Sequence, residues 1–358
     1  MGKIRVLLVD DSSLTRGLLR AFLEDDEDIE IVGEADNGRD AVKLARELKP
    51  NLVTMDLEMP VMNGMQAIAE IMATRAVPIL VVSSVADAHN AYEAVAHGAL
   101  EVIAKPEYEA KAAAEFVAKV KMLAGVPVIT HIRSRLKGKE SSRALHSPSA
   151  HSPLLMPHEN VSVGYSRIFA IASSIGGPQA LLMVLAQLPA DFPCPILVAQ
   201  HISAGFAGGM ADWLADLCKV RVRLAQEGEL ILPGVVYISP SEANLVVTPS
   251  RRITLRKQLP ADIYHPSCNA LLNAVAEVYG YQSIGIILTG MGNDGAQGIM
   301  SILQAGGATL AQDEASSVIF GMNKVAIDSG SVQKVLPADA IAREMIVMAS
   351  ACSVASQP

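Results

Sequence analysis

The stretch GIILTGMGNDGAQG, residues 285–298, decides how this chain is read. An apolar run gives way to a glycine-rich loop and then to a helical pattern, which spells strand, turn and helix. Gly290, Gly292 and Gly295 form G-x-G-x-x-G, and the acidic pair Asp313–Glu314 follows about twenty residues later, at the end of another short apolar run. Those are the formal requirements of a dinucleotide-binding fingerprint. One variable position, however, is Asp294. A carboxylate there would face a pyrophosphate at close range, unfavourable by on the order of several kcal/mol in a low dielectric. The loop therefore either cradles a cofactor or exists to present Asp294.

Outward from this loop, the same alternation fills residues 167–350: RIFAIASS, CPILVAQH, VVYISP, SIGIILTG and ATLAQ read as strands, and PQALLMVLAQL and NALLNAVAEVYG as helices. Strands alternating with helices predict a doubly wound parallel sheet. The alternation fails upstream. Residues 125–166 form a linker, whose 130–166 stretch is rich in Ser, Pro and His, mildly basic and without period. Four of the eight histidines lie there (His131, His146, His151 and His158), and their irregular spacing reads as solvated linker rather than a metal site. Residues 1–124 again alternate, with strands at IRVLLV (4–9), IEIVGEA (29–35), NLVTMD (51–56), PILVVSS (78–84) and EVIAK (101–105). Two α/β domains result, 1–124 and 167–350, and a frayed tail is expected at 351–358.

Composition narrows the class. The 358 residues suffice for two ordinary domains, with 51% hydrophobic and 18% charged residues. No run approaches eighteen uninterrupted apolar residues, which argues against a transmembrane helix. The start, MGKIRVLLVDD, holds too short an apolar stretch for a signal peptide, and Val6 stands where a myristoylation signal needs Ser or Thr. A net charge of −8 argues against an extended nucleic-acid footprint. Cys194, Cys218, Cys268 and Cys352 show no C-x-x-C spacing, so the pattern suggests neither a zinc site nor a disulfide framework. The expectation is a soluble cytoplasmic protein without membrane insertion.

Two groups of strand ends carry chemistry. In the first half Asp10, Asp11 and Asp56 end strands that face one crevice. Three converging carboxylates repel one another unless a cation neutralises them, and oxygen ligands with room for water suit Mg2+. Ser83 and Lys105, ending the fourth and fifth strands, add a hydroxyl and a positive charge suited to a phosphoryl group on one aspartate. Taken singly, each has a plainer role as N-cap, turn or surface residue.

In the second half Ser174, His201 and Asp294 each come after a strand. Together they supply the groups of nucleophilic acyl transfer: a hydroxyl, an imidazole to take its proton, and a carboxylate to fix the tautomer. Ser174 opens a turn through Gly176–Gly177 to Pro178, where glycines and Pro at the first helical position are ordinary start signals. Turn amides near Ile175 and Met291 would serve an oxyanion hole. Serine at such a turn is also a common cap, and a histidine after a strand is often structural, so the constellation carries the reading rather than any one residue. A nucleotide site at 290–295 would leave Ser174 and His201 without a role.

These motifs resemble two known families. LLVDDS, VTMDLEMPVMNG, VVSS and AKP look like the response-regulator receiver domain. That resemblance implies a flavodoxin-like (βα)5 fold, Asp56 as phosphoryl acceptor, Asp10 and Asp11 holding Mg2+ with it, and Ser83 and Lys105 as switch groups. Val102 stands where receivers commonly carry an aromatic switch residue. ASSIGGPQALLMVLAQLP, VAQHISAGFAGGMADWL, GVVYISP, ILTGMGNDGAQG and AQDEASSVIFGM resemble the CheB-type chemotaxis protein-glutamate methylesterase. That implies Ser174 as nucleophile, His201 as base, Asp294 as orienting acid and the Met291 amide in the oxyanion hole.

The activity implied is hydrolysis of receptor glutamyl γ-methyl esters and deamidation of receptor glutamines, without a cofactor for the ester chemistry. Its partners would be methyl-accepting chemoreceptors, met at their cytoplasmic helices, and a histidine kinase. Two departures stand out. Ile175 replaces the threonine of A-S-T-G-G, and YHPSCN (264–269) replaces H-R-P-S-x-D, with Tyr264 and Asn269 for His and Asp. These leave open a non-catalytic regulatory module as the alternative.

Overall fold

The computed structural model describes residues 2–126, 165–258 and 263–350. The expected linker, apart from its edges, its four histidines and the expected tail with Cys352 lie outside the described residues.

Five strands build the first sheet: β1 (Ile4–Val9), β2 (Ile29–Ala35), β3 (Leu52–Met55), β4 (Ile79–Ser83) and β5 (Glu101–Ala104). Helices α1 (Ser13–Glu24), α2 (Gly38–Leu48), α3 (Gly64–Thr74), α4 (Ala88–Ala96) and α5 (Ala110–Leu123) connect or trail them. The order is β2-β1-β3-β4-β5 and every pairing is parallel, the flavodoxin-like order. LVTM and ILVVS are buried throughout, which is why they read as continuous apolar runs rather than alternating ones. Because chain order reverses between β1 and β3, their carboxyl ends open the crevice that holds Asp10 and Asp56.

The second sheet has seven strands: β6 (Ile168–Ser173), β7 (Ile196–Gln200), β8 (Arg221–Leu224), β9 (Val235–Ile238), β12 (Ser283–Ile287), β13 (Ala308–Gln312) and β14 (Lys334–Leu336). Their order is β14-β13-β12-β6-β7-β9-β8, all parallel, and β10 (Ala243–Val247) and β11 (Ile253–Lys257) form a separate antiparallel hairpin. Helices α6 (Gly177–Leu185), α7 (Ala207–Leu217), α8 (Cys268–Tyr279), α9 (Ala296–Gln304), α10 (Met322–Asp328) and α11 (Ala338–Ser350) accompany the strands. Here the reversal falls between β6 and β12, and β7 flanks β6 on the other side. The three strands preceding Ser174, His201 and Asp294 are thus adjacent at the centre of the sheet.

Strands β8, β10, β11 and β14 extend beyond the sequence reading. β8 and β14 are edge strands of four and three residues, and β11 carries Arg256 and Lys257 on exposed positions. Charged, short segments are what sheet edges favour, and they leave little apolar signal.

The two sheets meet through α4 and α7. Tyr92 of α4 packs on Trp213 of α7 with ring centroids 5.9 Å apart, and both rings are buried. The close approach requires small residues: a methyl on Gly209 would lie 2.6 Å from the Ala88 backbone, and one on Gly205 2.6 Å from Val85. Ile175, Val318 and Ile319 belong to one apolar cluster with Ile103 of β5 and Leu100 just before it.

Candidate active site

At the carboxyl end of β1, Asp10 is almost wholly buried, and its Oδ1 accepts the Ser12 amide at 2.9 Å. Asp56, after β3, accepts the Leu57 amide at 2.8 Å. Lys105 after β5 bridges them, its Nζ 2.9 Å from Asp10 Oδ2 and 3.1 Å from Asp56 Oδ2. Only the second contact has hydrogen-bond geometry, so Asp10 Oδ2 is a buried oxygen short of a donor. Burial and then the Asp10 charge push the Asp56 carboxyl above its ordinary range, against the pull of Lys105. Carboxylate oxygens of Asp10, Asp11 and Asp56 lie within 4.8 Å of one another, a set that fits a hard divalent cation. Ser83 closes β4, buried. Val102 is buried inside β5, and the aromatic ring at the contact between the sheets comes from α4 instead, as Tyr92.

The second crevice is tied together by buried amides and hydroxyls. Ser174 donates its amide to Thr289 O at 3.0 Å, and His201 donates its amide to Ser173 O at 3.0 Å, which sews the loops after β6, β7 and β12 to one another. Gln200, the last residue of β7, uses Nε2 to bond Ser174 O (2.7 Å) and His201 O (2.8 Å), while its Oε1 accepts from Ser173 Oγ at 2.6 Å. Thr289 Oγ1 donates to Ile175 O and accepts from the Ile319 amide, each at 2.9 Å. Such fully satisfied networks fix loop geometry.

On that frame His201 Nε2 meets Asp294 Oδ2 at 2.8 Å. The carboxylate also accepts the amides of Cys268 (2.6 Å), Asn269 (2.9 Å) and Gly295 (3.1 Å), and Ser267 Oγ at 3.3 Å. Burial alone would raise its pKa, but the bond from His201 and those from the α8 amides outweigh it and hold it below the ordinary carboxylate value. Tyr264 stacks on the imidazole, centroids 5.0 Å apart and planes 10° from parallel, and its hydroxyl donates to Asn293 Oδ1 at 3.1 Å. Cys268 Sγ lies 3.5 Å from His201 Nε2. Burial, and then the Asp294 charge, raise that thiol well above its ordinary range.

With Nε2 turned to Asp294, Nδ1 is the ring nitrogen without a hydrogen bond among the described residues. Ser174 Oγ itself makes no hydrogen bond among the described residues. The backbone amides of Ile175 and Met291 likewise donate to no group among the described residues, and the Met291 side chain is half-exposed at the crevice.

The glycines of the opening stretch have structural reasons. A methyl on Gly290 would stand 2.7 Å from Ser174 Cβ and 2.4 Å from Met322 Sδ, while Gly292 and Gly295 have φ of +92° and +94°. Asp313 turns its Oδ1 to the Ser316 amide at 3.0 Å and hydroxyl at 2.6 Å, closing a turn rather than facing a ribose.

Comparison with known proteins bears on this arrangement. A protein-glutamate methylesterase/protein-glutamine glutaminase of Paramagnetospirillum magneticum is 50% identical over 358 residues, covering 100% of this chain and 99% of its own. The CheB methylesterase family matches residues 169–345 and the response regulator receiver domain residues 6–116. The chain belongs to the CheB methylesterase family. A second relative of the same name, from Anaeromyxobacter dehalogenans, is 39% identical over 96% of each chain. The crystal structure of the Thermotoga maritima CheB methylesterase catalytic domain superposes with a TM-score of 0.50 at 36% identity, covering 52% of this chain and 100% of that one.

As a CheB-family site, this one contains residues that sequence reasoning passed over. Gln200 was open to discovery, as the one amide side chain ending an apolar strand next to a candidate histidine. Asn269, noted in the sequence only as a departure from the family's Asp, has a structural role: its Oδ1 accepts the Gly295 and Gly298 amides at 3.0 and 2.8 Å, binding α8 to the start of α9. Cys268 gives no signal of its own, because only the fold carries it to His201, and the Tyr264 of the YHPSCN departure likewise reaches the imidazole only through the fold.

Proposed function

We propose that this CheB-family chain hydrolyses glutamyl γ-methyl esters on chemoreceptors, releasing methanol, and deamidates receptor glutamines, under control of its receiver domain. The observation that carries the reading is the His201–Asp294 hydrogen bond, set beside Ser174 and two unengaged backbone amides at the switch point of the parallel sheet. Ser174 Oγ attacks the γ-carbonyl, and His201 Nδ1 takes its proton. The amides of Ile175 and Met291 hold the oxyanion. The proton passes to departing methanol or ammonia, leaving an acyl-serine. Water, deprotonated by the same imidazole, then releases glutamate and restores Ser174. Asp294 keeps the tautomer that leaves Nδ1 free and stabilises the imidazolium. The Ser174–His201 bond is closed in the substrate complex, as catalytic hydrogen bonds often tighten on binding.

Asp56 is the phosphoryl acceptor in this reading. Asp10, Asp11 and Asp56 would hold Mg2+, which neutralises the phosphoryl oxygens during transfer. Lys105 answers the added charge, and Ser83 lies one turn ahead of α4, the helix that grips α7. Phosphorylation by a histidine kinase thereby acts on the helix that holds the receiver over the Ile175 loop. The partners are chemoreceptors, met through their cytoplasmic helices, and that kinase. Among the described residues no helix is long and apolar enough to cross a membrane.

Methanol release from methylated receptor membranes, with and without a small-molecule phosphodonor, tests catalysis and control together. Activity retained in Ser174→Ala overturns the nucleophile assignment, and silence of the phosphorylated protein favours a non-catalytic module.

A further inference from the structure

Cys268 sets a thiol where ester hydrolysis has no use for one. Its Sγ lies 3.5 Å from His201 Nε2, the same nitrogen that Asp294 Oδ2 approaches at 2.8 Å. The three ligating atoms all fall within 4.8 Å of one another, contributed from the end of β7, the loop between β12 and α9 and the first residue of α8. A tetrahedral zinc ion, with bonds of about 2.0–2.1 Å to N and O and about 2.3 Å to S, holds its N and S ligands about 3.6 Å apart and its N and O ligands about 3.4 Å apart. The N···S separation is therefore already that of a metal-bound pair. The N···O separation needs to open by about 0.6 Å on the same bond lengths. His201 is the ligand able to give way, its side chain 14% exposed against 1% for Asp294.

We propose that His201 Nε2, Cys268 Sγ and an Asp294 oxygen form an inhibitory site for a borderline-soft divalent cation, Zn2+ foremost, with the fourth position open to water. Thiolate and imidazole select Zn2+ over Mg2+, whereas the all-carboxylate crevice of the receiver has the opposite preference. Charge balances: the Cys268 thiol releases its proton to solvent, and thiolate plus carboxylate neutralise the ion in a buried setting. The imidazole proton leaves Nε2, now bound to metal, and the neutral ring carries it on Nδ1. Nδ1–H is a donor, so the nitrogen that accepts the serine proton is lost. Zinc thus switches the base off without touching Ser174. Metal binding stands independently of the proposed esterase activity; only the inhibition rests on that reading.

The test uses the full chain in saturating Mg2+, which occupies the receiver crevice. Zn2+ alone is titrated against a chromophoric chelator, and Co2+ alone is titrated for the near-ultraviolet thiolate-to-cobalt band. One Zn2+ ion is expected to depend on Cys268, binding at least about 100-fold weaker in Cys268→Ala, beyond what loss of an outer-sphere partner costs. The cobalt band is expected to vanish in that variant. His201→Gln, at a part-exposed position, is the second variant and weakens binding likewise, with circular dichroism confirming both folds. Methanol release, relative to each protein's own metal-free rate, is expected to stop at one equivalent of Zn2+ in the parent and to persist in Cys268→Ala. Unchanged Zn2+ affinity in both variants, or no thiolate band in the parent, overturns the site. Zn2+ that binds through Cys268 yet leaves methanol release intact supports the site and overturns the inhibition. A parent that never releases methanol overturns the esterase reading, and the cobalt band then decides the metal site alone.

Discussion

Replacing Asp294 by asparagine separates the roles the carboxylate plays. Asp294 accepts five hydrogen bonds: three from backbone amides, one from Ser267 and one from His201. An amide side chain has one acceptor oxygen, and its NH2 must face donors whichever way it turns. With NH2 in the Oδ2 position, the Cys268 amide loses its acceptor and His201 must offer a lone pair at Nε2, moving its proton to Nδ1. With NH2 in the Oδ1 position, the Asn269 amide is stranded, since Gly295 keeps Asn269 Oδ1. Either orientation orphans one buried donor, about 1–3 kcal/mol of stability, and removes the charge that stabilises the imidazolium. Asp294→Asn is therefore expected to fold, to unfold in urea about 1–3 kcal/mol more easily at neutral pH, and to lose about 10⁴ in kcat, the scale known for this substitution in a serine protease. The sign of the pH dependence is fixed. Asp294 has a lowered native pKa, so its contribution is complete above the ordinary value of 3.8 and is lost as pH falls through the native value. The stability gap between parent and variant should close in that acid range. Methanol release and urea midpoints read both effects. A kcat within tenfold of the parent would refute the orienting role, and an unchanged urea midpoint would refute the hydrogen-bond accounting.

Ser174→Ala is the counterpart: Ser174 Oγ has no partner among the described residues, so stability should stay within about 0.5 kcal/mol while methanol release falls by at least about 10³-fold. Asp56→Asn should abolish stimulation by phosphodonor. It should also raise the urea midpoint at pH 7, because burial and Asp10 raise the native Asp56 pKa; that advantage shrinks as pH falls through the raised native value towards 3.8. Gly209→Leu forces a side chain into the Ala88 backbone across the α4–α7 contact. It should lift the unphosphorylated rate severalfold towards the phosphorylated one, read as the ratio of methanol release without and with phosphodonor, and an unchanged ratio would count against receiver control through this contact.

The strand ends were legible because parallel strands buried on both faces are written as unbroken apolar runs, and the residue just after such a run lies at the mouth of the sheet. Hence Asp10, Asp56, Ser174 and His201 were placed from sequence at the crevices they occupy, and Asp294 from the glycine-rich loop that follows β12. The short charged strands β8 and β14 were not legible, since an edge leaves no apolar pattern, and the hairpin's β10 went unread although four of its five residues are buried. Nothing local to Tyr92 or Trp213 in the sequence says that each ring is buried against the other half of the chain. The three cysteines at positions 194, 218 and 268 showed no ligand spacing, and the Cys268–His201 contact spans 67 residues. Only folding brings that pair together.

Ile175 has a consequence beyond oxyanion binding. It is 3% exposed because the receiver shares its apolar surroundings. In the proposed mechanism a receptor helix entering the crevice and the closed receiver compete for one surface, so occupancy by one is linked to release of the other. Linkage of this kind is reciprocal in free energy. Whatever factor phosphorylation of Asp56 gains in receptor affinity, a bound receptor must return to the phosphorylated receiver, which makes the substrate an effector of the signal that summons the enzyme.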